Sequence, residues 1–312
     1  MFSPPQFPHL TLPDVFVRLA IGLKTGDTGV TVVTPNRRLA LMLKREFDNI
    51  QAASSLAVWD TADILPFSAF IERAYQDALY STGADKLPAL LTPSQEQALW
   101  EESIRRSDAG EALLAVPETA RLAREAWQLA HAWQLIPQLK NFPLNDDGKA
   151  FQDWMQRYER STGRARQTDS ARLCDLAGEL LQHAAVRKPQ CLICYGFDIL
   201  TPQQAALLSK LEASGCDVVQ ARPQTHHGSV QRVACADSRD EIRRAATWAR
   251  ARLEANATAR ISIVVPELAK QRNAIIRIFN EVMAADAQQV RPFNTSLGLA
   301  LTAYPLVSTA FA

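Results

Sequence analysis

Directly after the β-branched run Gly29-Val-Thr-Val-Val-Thr34 come Pro35, Asn36, Arg37 and Arg38. With Thr34 they set a hydroxyl, an amide and two guanidiniums at the expected start of a helix. Free backbone N–H groups and guanidinium donors converge at such a start, which suits a phosphate. A capped helix with solvated arginines would use the same residues, and the sequence leaves both readings open.

Other clusters are chemically weaker. Cys191 and Cys194 form a CxxC, but they lie inside the strand-like run Cys-Leu-Ile-Cys-Tyr195. Residues three apart on a strand point to opposite faces, so both sulfurs cannot meet one metal. His226 and His227 are adjacent in a polar loop near Gly228, without ligand spacing, so the cysteines read as structural. A phosphate loop needs glycines that wrap phosphates, a lysine and a Ser/Thr for magnesium. The nearest candidate is Gly22-Leu-Lys24-Thr25-Gly26-Asp27-Thr28-Gly29, where Gly26 and Gly29 follow the Lys-Thr pair and precede a strand. A working loop joins a strand's end to the next helix, so a plain turn is expected here. Asp237, Asp240 and Glu241 form the densest acidic cluster, yet they open a helix, where carboxylates stabilise the N-terminal dipole. Arg239, Arg243, Arg244, Arg250 and Arg252 on that helix could touch a nucleic-acid backbone, although a solvated face is the favoured reading.

The elements that position these residues follow from periodicity. The run ending at Thr34 is followed by Leu39, Met42, Leu43 and Phe47 at helical spacing. A matching unit, Arg260-Ile-Ser-Ile-Val-Val-Pro266, is followed by Ile275, Ile278, Phe279 and Val282. Between them Cys191 to Tyr195 leads into Gly196-Phe197-Asp198 and a helix start at Thr201-Pro202-Gln203-Gln204, with a further strand at Asp217 to Gln220. Residues 60–185 have a different character: β-branched runs vanish and helix formers dominate. Thr92-Pro93-Ser94-Gln95 predicts a capping box and a helix beginning at Thr92. Five of the six tryptophans, at 59, 100, 127, 133 and 154, lie in or beside this block. Core packing is their favoured role, and a base-stacking platform the minor one.

The expected architecture is therefore α/β, with a parallel sheet. Residues 1–60 and 185–225 build a first α/β domain, 61–184 an inserted helical subdomain, and 229–312 a partial second α/β domain. The second domain takes strands at Ser229 to Cys235 and Ile261 to Val265 around a helix over Asp240 to Glu254, with Ile242, Ala245, Ala246, Ala249 and Leu253 on one face. The loop Ala221 to Gly228 is the expected linker. Ser296 to Ala312 reads as the start of a helix without an end, which makes the second domain look truncated.

With 312 residues, 47% of them hydrophobic, the chain has enough apolar material for two or three domains. A net charge of +1 gives no global attraction for a polyanion, so any nucleic-acid contact must be a local patch. No apolar stretch reaches the roughly 20 residues that span a bilayer, and Met1 to Pro13 lacks the features of a signal peptide. Five scattered cysteines suit a reducing compartment, so a cytoplasmic location without membrane association is expected.

An α/β domain with a helical insertion, followed by a second α/β domain, is the layout of superfamily 1 helicase motors. The runs Thr31 to Ala40, Trp59 to Phe70, Leu91 to Trp100, Gly196 to Gln204 and Phe293 to Gly298 resemble the N-terminal part of the AddB/RexB-like DNA repair protein family, over essentially the whole chain. The resemblance implies a P-loop-helicase-like (UvrD/AddB-like) parallel-sheet fold. It also implies a helicase-like region that, in family members, precedes a C-terminal PD-(D/E)XK nuclease domain absent from this chain. By this resemblance Thr34, Asn36, Arg37 and Arg38 match a segment that lies near single-stranded DNA. Gly196, Phe197, Asp198, Thr201, Gln203 and Gln204 match degenerate helicase-motif positions, where a single Asp replaces the Asp-Glu pair of an ATPase.

The implied partners are single-stranded or end-containing DNA and a helicase-nuclease partner subunit, with no cofactor in this chain. Three functional classes follow: a catalytically silent DNA-binding and scaffolding region of a DNA-end nuclease, an ATPase with an atypical nucleotide site, and a protein-interaction module that binds no nucleic acid. The first accounts for both the layout and the missing phosphate loop.

Overall fold

A computed structural model describes residues 7–24, 29–54, 58–81, 84–139, 145–183, 186–223, 228–283 and 292–310. The chain divides into two compact units, residues 1–226 and 227–312. Unit one opens with β1 (His9–Leu10), α1 (Leu12–Lys24), β2 (Val30–Thr34), α2 (Arg37–Ala53), β3 (Ile64–Pro66) and α3 (Phe67–Leu79). It continues with β4 (Ala89–Leu90), α4 (Pro93–Arg105), α5 (Val116–Ala132), the short α6 (Ile136–Leu139), α7 (Asp146–Arg164), β5 (Gln167–Thr168) and α8 (Ser170–Leu180). It closes with β6 (Cys191–Tyr195), α9 (Pro202–Ala213) and β7 (Asp217–Ala221).

Five strands pair in the order β1-β7-β6-β2-β3, every pair parallel. Strand side chains alternate between two cores, as a sheet covered on both faces requires. Val33, Leu192, Cys194 and Val218 face α3, α8 and α9, whereas Val32, Ile64, Cys191, Ile193, Tyr195 and Val219 face α1 and α2. Cys191 and Cys194 thus sit on opposite sides of the sheet, and among the described residues no group of His, Cys, Asp and Glu could hold a metal ion. His226 and His227 lie outside the described residues. On α2 the buried stripe is Ala40, Leu43, Phe47 and Gln51, with Leu39 partly buried. Met42, expected on that stripe, is exposed because it sits about a quarter-turn off it.

The stretch expected to be a purely helical insertion contributes to the sheet. β3 pairs with β2 as an edge strand, and α3 and α8 cover one sheet face. The self-contained helical part narrows to the residues between α3 and α8, with the small ladder β4-β5 at its base. Thr92 caps α4 through the expected box: its N–H donates to Gln95 Oε1 at 2.9 Å and the Gln95 N–H to its hydroxyl at 3.3 Å. Trp100 stacks on Tyr158 at 4.3 Å and meets Trp127 edge-on at 6.0 Å. Trp100, Trp127 and Trp154 are buried, so these three are core and cannot present a face to bases.

A polar network lies against this aromatic core. Asp169, fully buried, caps α8 at the Arg172 N–H (3.0 Å), accepts from Trp127 Nε1 (3.2 Å) and the Tyr158 hydroxyl (3.1 Å), and pairs with the Arg172 guanidinium at 2.7 Å. Glu96, also buried, accepts from the Ser170 N–H at 3.0 Å.

Unit two departs from expectation. It contains α10 (Ser238–Ala255), α11 (Leu268–Met283) and α12 (Pro305–Ala310). Ile242 and Ala246 of α10 pack against Ile275, Ile278 and Phe279 of α11, as the apolar spacing predicts. The strands expected at Ser229 to Cys235 and Ile261 to Val265 are not formed: neither run pairs in a sheet among the described residues, and Val230 and Val264 are exposed. β-branched residues favour a pleated surface, but a strand exists only with a neighbour to receive its ladder hydrogen bonds. The final helix starts at Pro305 instead of near Ser296, after a 3₁₀ turn at Leu301–Ala303.

Candidate functional site

In a parallel sheet, the place to look for a site is where successive connections leave in opposite directions. From β2 the chain passes through α2 to the edge strand β3; from the adjacent β6 it passes through α9 to β7, toward the other edge. α2 and α9 lie on opposite faces. The carboxyl ends of β2 and β6 therefore flank the sheet's switch point. Thr34-Pro35-Asn36-Arg37-Arg38 leaves one strand there, and Gly196-Phe197-Asp198 leaves the other.

The turn after β6 packs against the first turn of α2. Gly196 has φ +75°, and a Cβ built on it would lie 2.7 Å from Leu39 Cδ2 in the first turn of α2. The Gly196 N–H donates to the Ala221 carbonyl at 3.0 Å, which ties the turn to the end of β7. Phe197 packs edge-on against Phe67 at 6.1 Å, reaching the helix that follows β3.

The candidates at this crevice separate into structural and available groups. Thr34 is fully buried, and its hydroxyl donates to the Asn36 carbonyl at 2.9 Å. Asn36 is the N-cap of α2, its Oδ1 accepting from the Leu39 N–H at 2.9 Å. Both side chains hydrogen-bond within the turn, in keeping with the capped helix start, one of the two readings the sequence leaves open for them. Arg37 and Arg38 are exposed and carry no ion pair or side-chain hydrogen bond among the described residues. Their backbone N–H groups open the helix and have no intrahelical acceptor. The site on β2's side is thus a helix N-terminus with two exposed arginines in its first turn.

On β6's side the motif positions divide likewise. Asp198 is exposed at the crevice. Thr201 and Gln204 form a capping box on α9, with the Thr201 N–H donating to Gln204 Oε1 at 3.0 Å. Gln203 is buried and donates through Nε2 to the Ala171 carbonyl at 2.8 Å and to Asp175 Oδ2 at 2.9 Å. These three residues hold the start of α9 in place and tie it to α8.

The connection from β2 to α2 is two residues, Pro35 and Asn36, and contains no glycine. A phosphate-wrapping loop cannot fit in it. The glycine-containing segment 22–29 instead begins within the last turn of α1, and its Gly29 directly precedes β2, at the opposite end of that strand; residues 25–28 of it are outside the described residues.

Asp63, half-buried, and Asp169, fully buried, are among the carboxylates that the sequence did not single out. Asp63 accepts both Arg73 guanidinium nitrogens, at 2.7 and 3.0 Å, and the Thr31 hydroxyl. Burial pushes its carboxyl up, yet the hydrogen bonds from Arg73 and Thr31 prevail and hold it below the ordinary aspartate range. It stands at the amino ends of β2 and β3, away from the crevice. Nothing in the sequence around Asp63 marks this pair. Asp169 could have been found, since an aspartate just before an apolar helical run is a cap signal.

A scan against protein-family models and a search of curated proteins found no match to this chain.

Proposed function

We propose that this chain is a catalytically silent, helicase-like region that binds single-stranded or end-containing DNA and acts as a scaffold within a bacterial DNA repair or recombination nuclease, beside a helicase-nuclease partner subunit. One observation carries the reading: at the switch point of the parallel sheet the first turn of α2, which holds the exposed Arg37 and Arg38, packs through Leu39 against Gly196 of the turn that leaves β6. Open helix N–H groups and unpaired arginines suit phosphodiester oxygens. The glycine-free two-residue exit from β2 favours a silent region over an ATPase, because the strand end that would cradle a nucleotide is already closed by the Asn36 cap. Asp198 stands without a second acidic residue in its turn, which is also unlike a magnesium-holding ATPase motif. Cytoplasmic placement belongs to the same proposal; no helix among the described residues is long and apolar enough to cross a membrane.

The test is fluorescence anisotropy of a labelled oligonucleotide, single-stranded or with a duplex end, titrated with the parent chain and with the Arg37→Ala/Arg38→Ala variant. Binding that falls with salt and weakens in the variant supports the reading. Equal binding by both proteins removes the crevice as the contact.

A further inference from the structure

Away from the crevice, the helical part of unit one carries a cleft of about 470 Å³ between the C-terminal halves of α4 and α7. Arg106, Arg157, Arg160 and Arg164 line it, together with Ser161 and a single carboxylate, Glu102. In a chain of net charge +1, four guanidiniums in one concavity are a marked local excess.

Part of that charge has a structural explanation. Arg106 pairs with Glu102 at 2.7 Å and Arg157 with Asp153 at 2.7 Å, each one turn apart on its own helix. Arg106 and Arg164 also stand at helix C-termini, where cations complement the dipole. Arg160 and Arg164 remain without a carboxylate partner among the described residues. Arg160 Nε only donates to the Gln156 carbonyl at 3.1 Å. Dipole complementation requires one cation per helix end and does not require Arg157 and Arg160 to line the same cleft.

We infer that this cleft is a binding site for the phosphodiester backbone of a nucleic acid, engaged without reading its bases. On α7, residues 157, 160 and 164 recur at i, i+3 and i+7, so their side chains share one face over about 10 Å. That length matches about three nucleotides at the ~3.4 Å rise of a B-form strand. Guanidinium forks and the Ser161 hydroxyl suit phosphate oxygens. No aromatic side chain lines the cleft, so there is no platform on which a base could stack. The site uses none of the crevice residues. It extends the nucleic-acid reading to a second surface without depending on Arg37 and Arg38.

The Arg160→Ala/Arg164→Ala variant tests it, because both side chains are exposed and their loss should leave the fold intact, as a circular dichroism melt would verify. Anisotropy titrations with labelled single-stranded and duplex oligonucleotides should show affinity reduced about tenfold at low salt, with the single-strand salt slope smaller by about 1.4, two contacts' worth. Oligonucleotides of different base composition should lose affinity equally. The Arg160→Lys/Arg164→Lys variant should keep most of the binding. Unchanged affinity and slope in the alanine variant would overturn the assignment, as would a phosphorylated acidic peptide that binds through these arginines while the oligonucleotides do not. Loss in this variant with none in Arg37→Ala/Arg38→Ala would uphold the cleft and reject the crevice; the converse would reject the cleft alone.

Discussion

Arg37 and Arg38 are exposed, while their neighbours Thr34 and Asn36 are held in hydrogen bonds. The Thr34 hydroxyl and Asn36 Oδ1 are engaged within the turn between β2 and α2, whereas the guanidiniums of Arg37 and Arg38 carry no ion pair among the described residues. The segment was legible from residue type and from its place after a β-branched run. The division of labour within it was not, since a hydroxyl that caps and one that faces a ligand look identical in sequence. Gly196 makes the complementary contribution on β6. At φ +75° any side chain is strained, and a Cβ would also push Leu39 aside. Gly196→Ala should therefore lower stability by about 1–2 kcal/mol, measured by urea denaturation. An unchanged midpoint would mean that the turn relaxes freely.

Among the elements, α8 is the clearest case of a helix fixed by one buried charge. Asp169 joins its cap to Trp127, Tyr158 and Arg172. Asp169→Asn removes the counter-charge of Arg172 and should cost about 3 kcal/mol or more in chemical denaturation, with the aromatic near-ultraviolet signal altered. His131, edge-on to Trp127 at 4.2 Å, belongs to the same neighbourhood. Burial pushes its imidazole below the usual 6.5; Asp169 and Asp175 pull the other way, and Arg172 adds to the depression. A depressed folded value means the neutral form is the one the fold accepts. The corresponding stability is present above the ordinary histidine value and is lost as pH falls below it. Thermal melts of the parent should thus drop more between pH 7.5 and about 5.5 than those of His131→Gln. Identical pH profiles would show that the histidine titrates freely. Glu96, raised chiefly by burial, responds in the opposite sense, and comparison with the variant removes its contribution. Long periodic helices such as α2, α10 and α11, and strands buried on both faces such as β2 and β6, were legible. β3 was not, because three residues ending in proline carry no periodicity, and edge pairing is what tolerates Pro66. The reverse error at residues 229–235 and 261–265 arose because strand propensity is local whereas a strand's existence depends on a partner.

At the scale of the whole molecule, the parallel sheet, its doubly covered faces and the helical part between β3 and β6 follow from patterning along the chain. The switch point does not. It emerges only from strand order, and it turns two separate segments into one candidate site. The same topology closes the exit of β2 without a glycine loop, so titration calorimetry with ATP and magnesium should give no micromolar binding heat. A micromolar dissociation constant would promote the ATPase reading. The central claim is nucleic-acid binding at the crevice, and the salt dependence of oligonucleotide affinity tests it most directly. Between ~50 and ~200 mM salt the parent's affinity should fall, while Arg37→Ala/Arg38→Ala should bind more weakly with a slope flatter by about 1.4 on single strands. A variant that matches the parent in both affinity and slope would contradict the account.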